Sequence, residues 1–537
     1  NNNNNNMFEL IQYLLVLPAI GLCYTCYTWM DTFFRFWIIL FHVHISQTLP
    51  AAPRPKNASV LSWLVFGHAQ LILETRKNGG IQQLLTRWKE SLPAHSSCFV
   101  IWLGPITPNI VLMDHQLVKT TLVQTKVFQK SFVYDAIRYV VPEGITNAEG
   151  DRWKFLRRLV TPCFHNQVVE LLVTTMAETG KIHLKRWEQE VQVQKGLAHS
   201  INIHALISRL TLNIIMKTTL GRDLTPNSST YHEFGSMMSY TAEVLVSPLR
   251  FLIGSYLYIR LPCLHNDFKA RIKRLEKIVH VALSDALAAL PLAAATEQDA
   301  NKPRNLMDIM LAEHQKSGST FTDKTLCDQL GTFLAAGHDT TAALLSFTIN
   351  QICRKPNIAK RLRQEADDVL GSLETVSSDT HAVTYEHITQ LHYAKACLQE
   401  GLRLDSPGPI IARQATKKTS MLSSKNQPVP IPNGTSVWLA IHLLHHDAEH
   451  WPEPETYDPE RWLTKKTNRP VTSYVPFSYG ARNCVGQRFA MLEAATLLSM
   501  IVQRFDIRLD ENHPPLVRET ALVNRPRDGL FVQMSLR

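Results

Sequence analysis

The chain has 537 residues, carries a formal net charge of +10 and contains nine cysteines. Its length exceeds the usual size of one domain, but no interior stretch has the composition of a long linker, so we expect one large domain after an N-terminal segment. The cysteines are odd in number and lack framework spacing, which argues against a disulfide scaffold and favours a reducing compartment. No nucleic-acid motif accompanies the positive charge, which therefore indicates a membrane surface or an acidic protein partner.

The N-terminal segment has the composition of a membrane anchor. Residues 1–6 are all Asn and precede Met7, so we interpret them as a disordered tail. Leu10 to Met30 contains no charged residue and is long enough to span a bilayer, which takes roughly 20 apolar residues. A core helix and a cleaved signal peptide are the alternatives, but the positively charged start of a signal peptide is missing. Phe33 to Ile45 is shorter and is expected to lie at the membrane interface.

Basic residues and prolines set the limits of this anchor. Basic residues follow the apolar run, so the positive-inside rule places the remaining chain in the cytosol behind a single span. We therefore assign 7–49 to the anchor, 50–56 with its three prolines to a stiff hinge, and 57–537 to the main domain.

The main domain is predicted to be mainly α with small β-sheets, because apolar residues recur at helical spacing over long stretches. The predicted helices cover Lys181 to Glu190, Asp267 to Leu290, Thr322 to Arg354 and Ile358 to Leu370. Short β-like runs occur at Phe99 to Leu103, Ile110 to Met113, Thr435 to Leu439 and Leu530 to Leu536. Leu290 to Pro303 is Ala-rich and polar, which is typical of a surface loop.

The predicted helix from Thr322 to Arg354 is unusually long and contains a glycine beside two threonines. Gly337 costs about 1 kcal/mol in a helix interior relative to alanine, and a threonine such as Thr340 can bond a carbonyl one turn back and bend the helix. We expect a groove here that admits water and dioxygen. Asp339 also has a plain interpretation as a surface or capping carboxylate.

Other polar residues stand at helical spacing. Trp153 and Arg157 are four residues apart and share one helix face, and Glu400 and Arg403 share another. If it were exposed, the second pair would contribute well under about 1 kcal/mol. Four histidines at positions 442, 445, 446 and 450 suggest a metal cluster, but we interpret them as structural.

Cys484 is the most informative residue of the chain. Gly480 and Gly486 flank it, which permits a tight turn and close approach to a flat partner. Arg482 lies two residues upstream and a helical pattern starts at Gln487, and both a cation and a helix N-terminus favour a thiolate. A lone thiolate is a poor zinc site, which needs about four ligands, but it is a good axial ligand for haem iron.

The loop around Cys484 matches Phe-x-x-Gly-x-Arg-x-Cys-x-Gly at every fixed position, from Phe477 to Gly486. On this motif the chain resembles the cytochrome P-450 haem-thiolate monooxygenases. Further motifs similar to those of the family follow in its order at Trp153 to Arg157, Ala336 to Thr341, Glu400 to Arg403 and Tyr457 to Trp462. The resemblance covers nearly the whole chain after the anchor and implies the P-450 fold, with haem between a long central helix and the cysteine loop.

The resemblance implies which residues contact haem. Cys484 would be the axial iron ligand, in a loop that includes Phe477 and Gly486. The residues expected to meet the haem propionates are Trp153, Arg157, Arg413 and Arg482. Many animal fatty-acid ω-hydroxylases carry a glutamate where this chain has Ala336, and that glutamate forms an ester with a haem methyl group. Alanine cannot form the ester, so we expect non-covalently bound haem b.

Catalytic and supporting roles are implied in the same way. Thr340 would hydrogen-bond the activated oxygen, and Asp339 would gate protons to it. Glu400, Arg403 and Arg461 would form a buried network that supports the cysteine loop, which is a structural role.

Four largely apolar segments are expected to contact substrate, which implies a lipophilic substrate. Their candidate residues are Tyr134, Ile137, Phe333, Ala336, Ile410, Ile411 and Ala521. Lys130 and Arg138 are additional candidates for anchoring a substrate carboxylate.

The chain has no flavin or dinucleotide motif, so the resemblance implies electrons from NADPH through a separate cytochrome P-450 reductase. That reductase would dock near Arg152, Lys154 and Arg158, with cytochrome b5 as a further partner, at the endoplasmic reticulum membrane. The reaction would insert one oxygen atom of O2 by hydroxylation or epoxidation, and the motifs are most similar to the fatty-acid and alkane hydroxylases and to fungal secondary-metabolism members. Two alternatives stay open: a haem-thiolate isomerase or dehydratase that acts on peroxides, and a non-catalytic haem sensor.

Overall fold

The computed structural model describes residues 49–52, 79–103, 108–193, 200–223, 269–284 except 271, 275 and 282, 305–317, 322–371, 382–464, 468–520 and 522–537. The asparagine tail, the predicted membrane segments, most of the hinge, the loop at Leu290 to Pro303 and Ala521 lie outside the described residues. Among the residues that are described, no helix combines the length and the apolar composition needed to cross a bilayer.

Helices form most of the described chain, as the spacing of apolar residues predicted. In chain order they are α1 (Gly80–Glu90), α2 (His115–Val123), α3 (Ile137–Val140), α4 (Gly150–Val160), α5 (Asn166–Val193), α6 (Ile203–Leu220), α7 (Leu306–Ser317), α8 (Asp323–Cys353), α9 (Pro356–Leu370), α10 (Tyr385–Gln390), α11 (His392–Leu404), α12 (Ile441–His445) and α13 (Gln487–Arg504). Short 3-10 helices occur at Phe132–Ala136, Thr161–Phe164, Pro459–Trp462, Val471–Ser473 and Gly480–Arg482.

The strands are short and form small sheets. They are β1 (Cys98–Trp102), β2 (Pro108–Leu112), β3 (Phe128–Lys130), β4 (Ile201–Asn202), β5 (Ile410–Ala415), β6 (Thr419–Leu422), β7 (Pro428–Ile431), β8 (Ser436–Ala440), β9 (Phe505–Leu509), β10 (Arg518–Thr520), β11 (Asn524–Pro526) and β12 (Phe531–Leu536). The largest sheet has the order β1-β2-β8-β5-β3, with β2 and β8 parallel and the other neighbours antiparallel. A separate antiparallel hairpin joins β10 to β11.

The long helix α8 lies at the centre of the helical region. Its N-cap is Thr322, whose side-chain oxygen accepts the N–H of Thr325 at 3.2 Å, which satisfies a free donor of the first turn. Residues 341–350 are buried without interruption because α8 packs against α6, α11 and α13. The helix is therefore fixed by packing on several sides.

The helices and strands expected from the pattern of apolar residues are confirmed in type and position. The predicted helix from Thr322 to Arg354 is α8, and the one from Ile358 to Leu370 is α9. The predicted segment from Lys181 to Glu190 is part of the much longer α5. The four predicted strand runs correspond to β1, β2, β8 and β12 within one residue at each end.

Candidate active site

Backbone hydrogen bonds close the loop that carries Cys484. The Cys484 N–H donates to the carbonyl oxygen of Phe477 at 2.9 Å, and the Asn483 N–H donates to that of Gly480 at 3.1 Å. Gly480 has a φ of 77°, and a Cβ there would lie 3.2 Å from the carbonyl oxygen of Leu122. Because glycine avoids both the strain and the contact, the loop turns tightly and presents Cys484 just before α13.

Cys484 is exposed, whereas the other described cysteines are buried or half-buried. Protein atoms nevertheless crowd the sulfur, and the resulting desolvation raises the pKa of the Cys484 thiol above its ordinary value. An exposed side chain that is also desolvated lies in a recess. The Gly486 N–H and the Arg157 guanidinium lower the pKa in part.

The expectation that Arg482 favours the Cys484 thiolate is therefore wrong. The cation that acts on the sulfur is Arg157, and the net effect of the protein alone is to favour the thiol. Arg482 is occupied elsewhere, because it donates to Glu149 and to the carbonyl oxygen of Ala148. Deprotonation of Cys484 must come from the metal it binds, since a coordinating thiol loses its proton.

Arg157 and Trp153 extend from one face of α4 but have different partners. The Arg157 guanidinium donates to both oxygens of Asn483, the residue before Cys484. The Trp153 ring lies under the guanidinium of Arg482, 4.5 Å from the ring centroid. The expected propionate contact of Arg157 is thus replaced by a contact to the loop, because Asn483 offers two oxygens that match the fork of the guanidinium.

Lys130, Arg413 and Arg482 form a cluster of cations. Lys130 and Arg413 are direct cross-strand partners in β3 and β5. Burial lowers the pKa of all three, and the charges of Arg413 and Arg482 lower that of Lys130 further. Glu149 is the carboxylate that acts on all three cations. Positive charge therefore exceeds negative charge at this position.

The cation cluster fits the acidic edge of a haem group. Nε of Arg482 is buried without a hydrogen-bond partner, so the cluster has donor capacity that protein atoms leave unused. Two carboxylates of a bound group would supply the missing negative charge, and an arginine fork suits a carboxylate. The sequence correctly pointed to Arg413 and Arg482, but it assigned Lys130 to a substrate carboxylate. Lys130 lies instead with these arginines, as its cross-strand partner Arg413 requires.

The middle of α8 has an exposed face. Ala336 is exposed and Thr340 is half-exposed, whereas the following turns of the helix are buried. The Thr340 hydroxyl donates to the carbonyl oxygen of Ala336 at 2.7 Å, and that of Thr341 donates to Gly337 at 3.1 Å. These are the expected bonds one turn back.

Gly337 does not provide the groove that its position suggested. A Cβ at this position would lie 2.8 Å from Cδ1 of Ile215 on α6. Glycine is therefore needed for the close packing of α6 against α8, and the accessible surface lies beside Ala336 and Thr340 instead.

Asp339 is buried and ionically paired, so its interpretation as a surface or capping carboxylate is wrong. Only 5% of the residue is exposed. Oδ2 lies 3.8 Å from Nη1 of Arg525 in β11. Two buried histidines, His204 and His338, also feel the Asp339 charge, and burial lowers the pKa of both. Arg525 carried no motif, so sequence reasoning missed it.

Glu400 and Arg403 form a fully buried ion pair, with 0% of either side chain exposed. Nε and Nη2 of Arg403 donate to the two Glu400 oxygens at 3.0 and 2.8 Å. Nε of Arg461 lies 3.3 Å from Glu400, and the indole N–H of Trp462 donates to it at 2.9 Å. Arg403 also donates to three backbone carbonyls, including that of His445 at 2.9 Å. A buried pair persists only with such added bonds.

This network reaches the chain segment before the cysteine loop. The imidazole Nε2 of His445 accepts the N–H of Val475 at 3.0 Å, and the Tyr474 hydroxyl donates to the carbonyl oxygen of Gln399 at 3.0 Å. His445 therefore has a structural role. In the described residues, no group of three metal-binding side chains is present, which agrees with that interpretation of the histidines.

The structure separates the residues expected to contact substrate. Tyr134 accepts the N–H of Ala412 at 2.9 Å and packs with Ile410. Ile411 packs against a different cluster, because successive side chains of a strand point to opposite faces. Phe333 is 5% exposed and meets the Phe164 ring edge-on at 5.1 Å, so it is a core residue rather than a pocket residue.

The remaining candidates differ in exposure. Ala336 is exposed and Ile137 is half-buried, so both can meet a bound molecule. Arg138 lies 3.6 Å from Asp135 and is half-exposed. It therefore has a local partner, and its expected role as a substrate anchor gains no support.

The helical fold, the single cysteine in a closed loop and the nearby cation cluster define a haem-thiolate protein. A model of the family described as Cytochrome P450 matches residues 59–533, and the chain belongs to that family. It is therefore a monooxygenase that uses haem b and electrons from NADPH through a reductase and acts on lipophilic substrates.

Curated relatives match over nearly their full length. The chain is 28% identical to cytochrome P-450 4F8 of Homo sapiens over 520 residues, with 94% of each chain covered. It is 26% identical to cytochrome P-450 4V2 of Homo sapiens, with 90% of each covered. It is 28% identical to cytochrome P-450 4A2 of Rattus norvegicus, over 89% of this chain and 90% of the relative.

Proposed function

We propose that this chain hydroxylates or epoxidises a lipophilic, fatty-acid-like substrate at the endoplasmic reticulum membrane, with Cys484 as the axial ligand of haem iron. The observation that carries the proposal is the closed loop that presents the exposed Cys484 sulfur beside the Arg157 guanidinium. When bound, haem supplies the chemistry of O2, and a thiolate ligand favours cleavage of the O–O bond.

Lys130, Arg413 and Arg482 would hold the haem propionates. Their cluster has an excess of positive charge and an unused donor at Arg482 Nε. Arg157 would act one step away, by fixing Asn483 and so the position of Cys484. Because Ala336 has no nucleophilic atom, haem would be held without a covalent bond to this helix.

Thr340 and Asp339 would deliver protons from α8. The Thr340 hydroxyl donates to the Ala336 carbonyl oxygen in this structure, and rotation about χ1 turns it towards the exposed face of the helix. Asp339 can take a proton from solvent at its carboxylate and pass it on, provided that it separates from Arg525. Ala336, Ile137 and Tyr134 supply apolar and half-buried surface for the substrate.

Electrons would arrive from a separate NADPH-cytochrome P-450 reductase, with cytochrome b5 as a second partner. The exposed residues Arg152, Lys154 and Arg158 on α4 are the candidate docking surface. Arg152 is paired with Glu143 and Lys154 with Asp151, so the surface is less positive than its sequence indicated. The match of the family model begins at residue 59, which supports the division into an N-terminal anchor at 7–49, a hinge at 50–56 and a catalytic domain.

The test is to express the full chain with a microsomal reductase and to measure the reduced CO complex and product formation. We expect the red-shifted Soret band of a thiolate complex, and hydroxylated product that contains oxygen from isotopically labelled O2 and requires NADPH. Cys484→His should abolish that band, and Cys163→Ser, at a buried cysteine away from the loop, should retain it. Turnover of a peroxide without NADPH would support the isomerase or dehydratase alternative. Retention of the band by Cys484→His would reject the ligand assignment.

A further inference from the structure

Asp339 faces a hairpin close to the C-terminus. Its Oδ2 lies 3.8 Å from Nη1 of Arg525. The Asp339 side chain is 7% exposed and that of Arg525 is 21% exposed, so solvent ions screen this pair less than a surface pair. The ion pair therefore links the middle of α8 to β11.

Arg525 is shared between two carboxylates. Its Nε lies 3.7 Å from Oε2 of Glu519, and the register of the hairpin places Glu519 directly opposite Arg525. Both ion pairs are longer than a normal hydrogen bond of about 2.7–3.2 Å, so through these atoms the attraction depends on charge and distance. A small shift of the hairpin consequently changes the balance between Asp339 and Glu519.

The turn of this hairpin packs on the same helix. Leu522 and Val523 contact Ala343 and Phe347 of α8. Ala343 lies four residues after Asp339, which is about one helical turn. The turn also belongs to a segment expected to contact substrate, 520–522. One short hairpin therefore carries a substrate contact at its tip and the partner of the proton-gating carboxylate in its second strand.

The histidines around Asp339 do not replace Arg525. Burial lowers the pKa of His204 to about 4, and it lowers the pKa of His338 below its usual value of 6.5. Both are therefore neutral near pH 7. Among the described residues that act on Asp339 through these contacts, the charged cation is Arg525.

We propose that Arg525 is a positioning residue that couples substrate occupancy to proton delivery by Asp339. A substrate that reaches the hairpin turn shifts β10 and β11, Arg525 moves towards Glu519, and the Asp339 carboxylate is freed to transfer a proton. O2, NADPH and one proton then convert the substrate into its hydroxylated product, with water and NADP⁺. A short substrate leaves the Asp339–Arg525 pair closed, and the same reactants without substrate give hydrogen peroxide and NADP⁺. This inference rests on the proposed function.

The test compares lauric acid with the longer palmitic acid, using the full chain with reductase in membranes. The measurement is product formed per NADPH consumed, together with hydrogen peroxide release. In the wild-type protein we expect this ratio to be several-fold higher for palmitic acid. Arg525→Ala should raise the ratio for lauric acid and bring the two acids close to equality. Arg525→Lys keeps a cation and should preserve the difference.

Two further variants make the comparison specific. Arg527→Ala removes a cation that pairs with Asp528 just after the hairpin, and it should leave the chain-length difference intact. Glu519→Gln removes the competing carboxylate, so Arg525 should hold Asp339 more firmly and the product ratio should fall for both acids. If Arg525→Ala yields little folded protein, Glu519→Gln still tests the opposite direction.

The solvent deuterium isotope effect on turnover reports proton delivery rather than stability. With lauric acid it should be larger in the wild-type protein than in Arg525→Ala. An unchanged chain-length difference together with an unchanged isotope effect in Arg525→Ala would overturn the inference while leaving the proposed function intact. Absence of NADPH-dependent product in the wild-type protein with both acids would reject the proposed function, and this inference with it.

Discussion

Arg157 and Asn483 are joined by two hydrogen bonds across 326 positions of the sequence. Nη1 of Arg157 donates to the carbonyl oxygen of Asn483 and Nη2 donates to its side-chain oxygen, each at 2.8 Å. Because Asn483 directly precedes Cys484, this pair connects α4 to the cysteine loop. The position of the sulfur therefore depends on a residue of a different helix as well as on the loop itself.

Arg157→Ala should loosen the cysteine loop and weaken haem retention. The substitution removes two charge-assisted hydrogen bonds, each of which contributes about 1.5–3 kcal/mol in proteins. The expected result is faster transfer of haem to apomyoglobin and a smaller fraction of the thiolate-type Soret band in the reduced CO complex. Arg158→Ala is the matched control, since Arg158 is an exposed neighbour on the same helix. Equal haem retention in both variants would contradict the anchoring role of Arg157.

Asp339→Asn and Thr340→Ala should reduce product formed per NADPH consumed while hydrogen peroxide release rises. The physical reason is that asparagine cannot carry the proton and alanine lacks the hydroxyl beside the exposed face of α8. The larger loss is expected for Asp339→Asn. Thr332→Ala is a suitable control, because Thr332 makes the same bond one turn back, to Asp328 at 2.6 Å, in the earlier part of the helix. Unchanged coupling in both test variants would favour a mechanism without proton delivery from α8.

Glu493 should make the stability of the protein fall as pH rises. This glutamate of α13 is 1% exposed, and both carboxyl oxygens are buried without a hydrogen-bond partner. Burial raises the pKa of Glu493 from 4.5 to about 8, and the nearby Thr341 hydroxyl, which donates to Gly337, offsets only part of that rise. Between these two pKa values the folded protein binds a proton that the unfolded chain has lost, so stability decreases as pH rises through this interval.

The measurement is the urea midpoint at pH 5 and pH 8. Glu493→Gln removes the titration, so its stability relative to the wild-type protein should increase between these pH values by about 3 kcal/mol, given 1.36 kcal/mol for each unit of pKa. Glu493→Asp keeps a buried carboxyl and should retain the pH dependence of the wild-type protein. A constant difference between Glu493→Gln and the wild-type protein at both pH values would show that Glu493 does not titrate in this interval.

The central helix and the cysteine loop were predictable because their signals are local. The helix α8 has a continuous apolar pattern and a Thr322 cap, and Pro356 follows its end. The loop motif places Gly480 where the backbone requires a left-handed turn. The buried network of Glu400 was expected from the family resemblance, and the structure shows its partners at hydrogen-bond distance.

The parts that sequence reasoning missed are contacts between distant segments. Strands β10 and β11 have three residues each, which is too short for a pattern of alternating side chains. Nothing near Arg525 in the sequence therefore indicates that it faces Asp339. Lys130 was misassigned for a similar reason, because its neighbour Arg413 is set by the pairing of β3 with β5. The different clusters contacted by Ile410 and Ile411 depend on strand geometry that the apolar run alone does not reveal.

The last prediction concerns Ala336, which is exposed on α8 one turn before Thr340. Because alanine has no nucleophilic atom, acidified organic solvent should extract all haem from the wild-type protein as unmodified protohaem. Ala336→Glu adds a carboxylate at this exposed position, and we expect a fraction of the haem to stay on the polypeptide after reductive turnover. Ala336→Gln matches the glutamate in size but lacks a nucleophilic carboxylate, so its haem should remain fully extractable. Haem that stays on the wild-type polypeptide under denaturing conditions would contradict non-covalent binding, and full extraction from Ala336→Glu would show that this side chain does not reach the edge of the porphyrin.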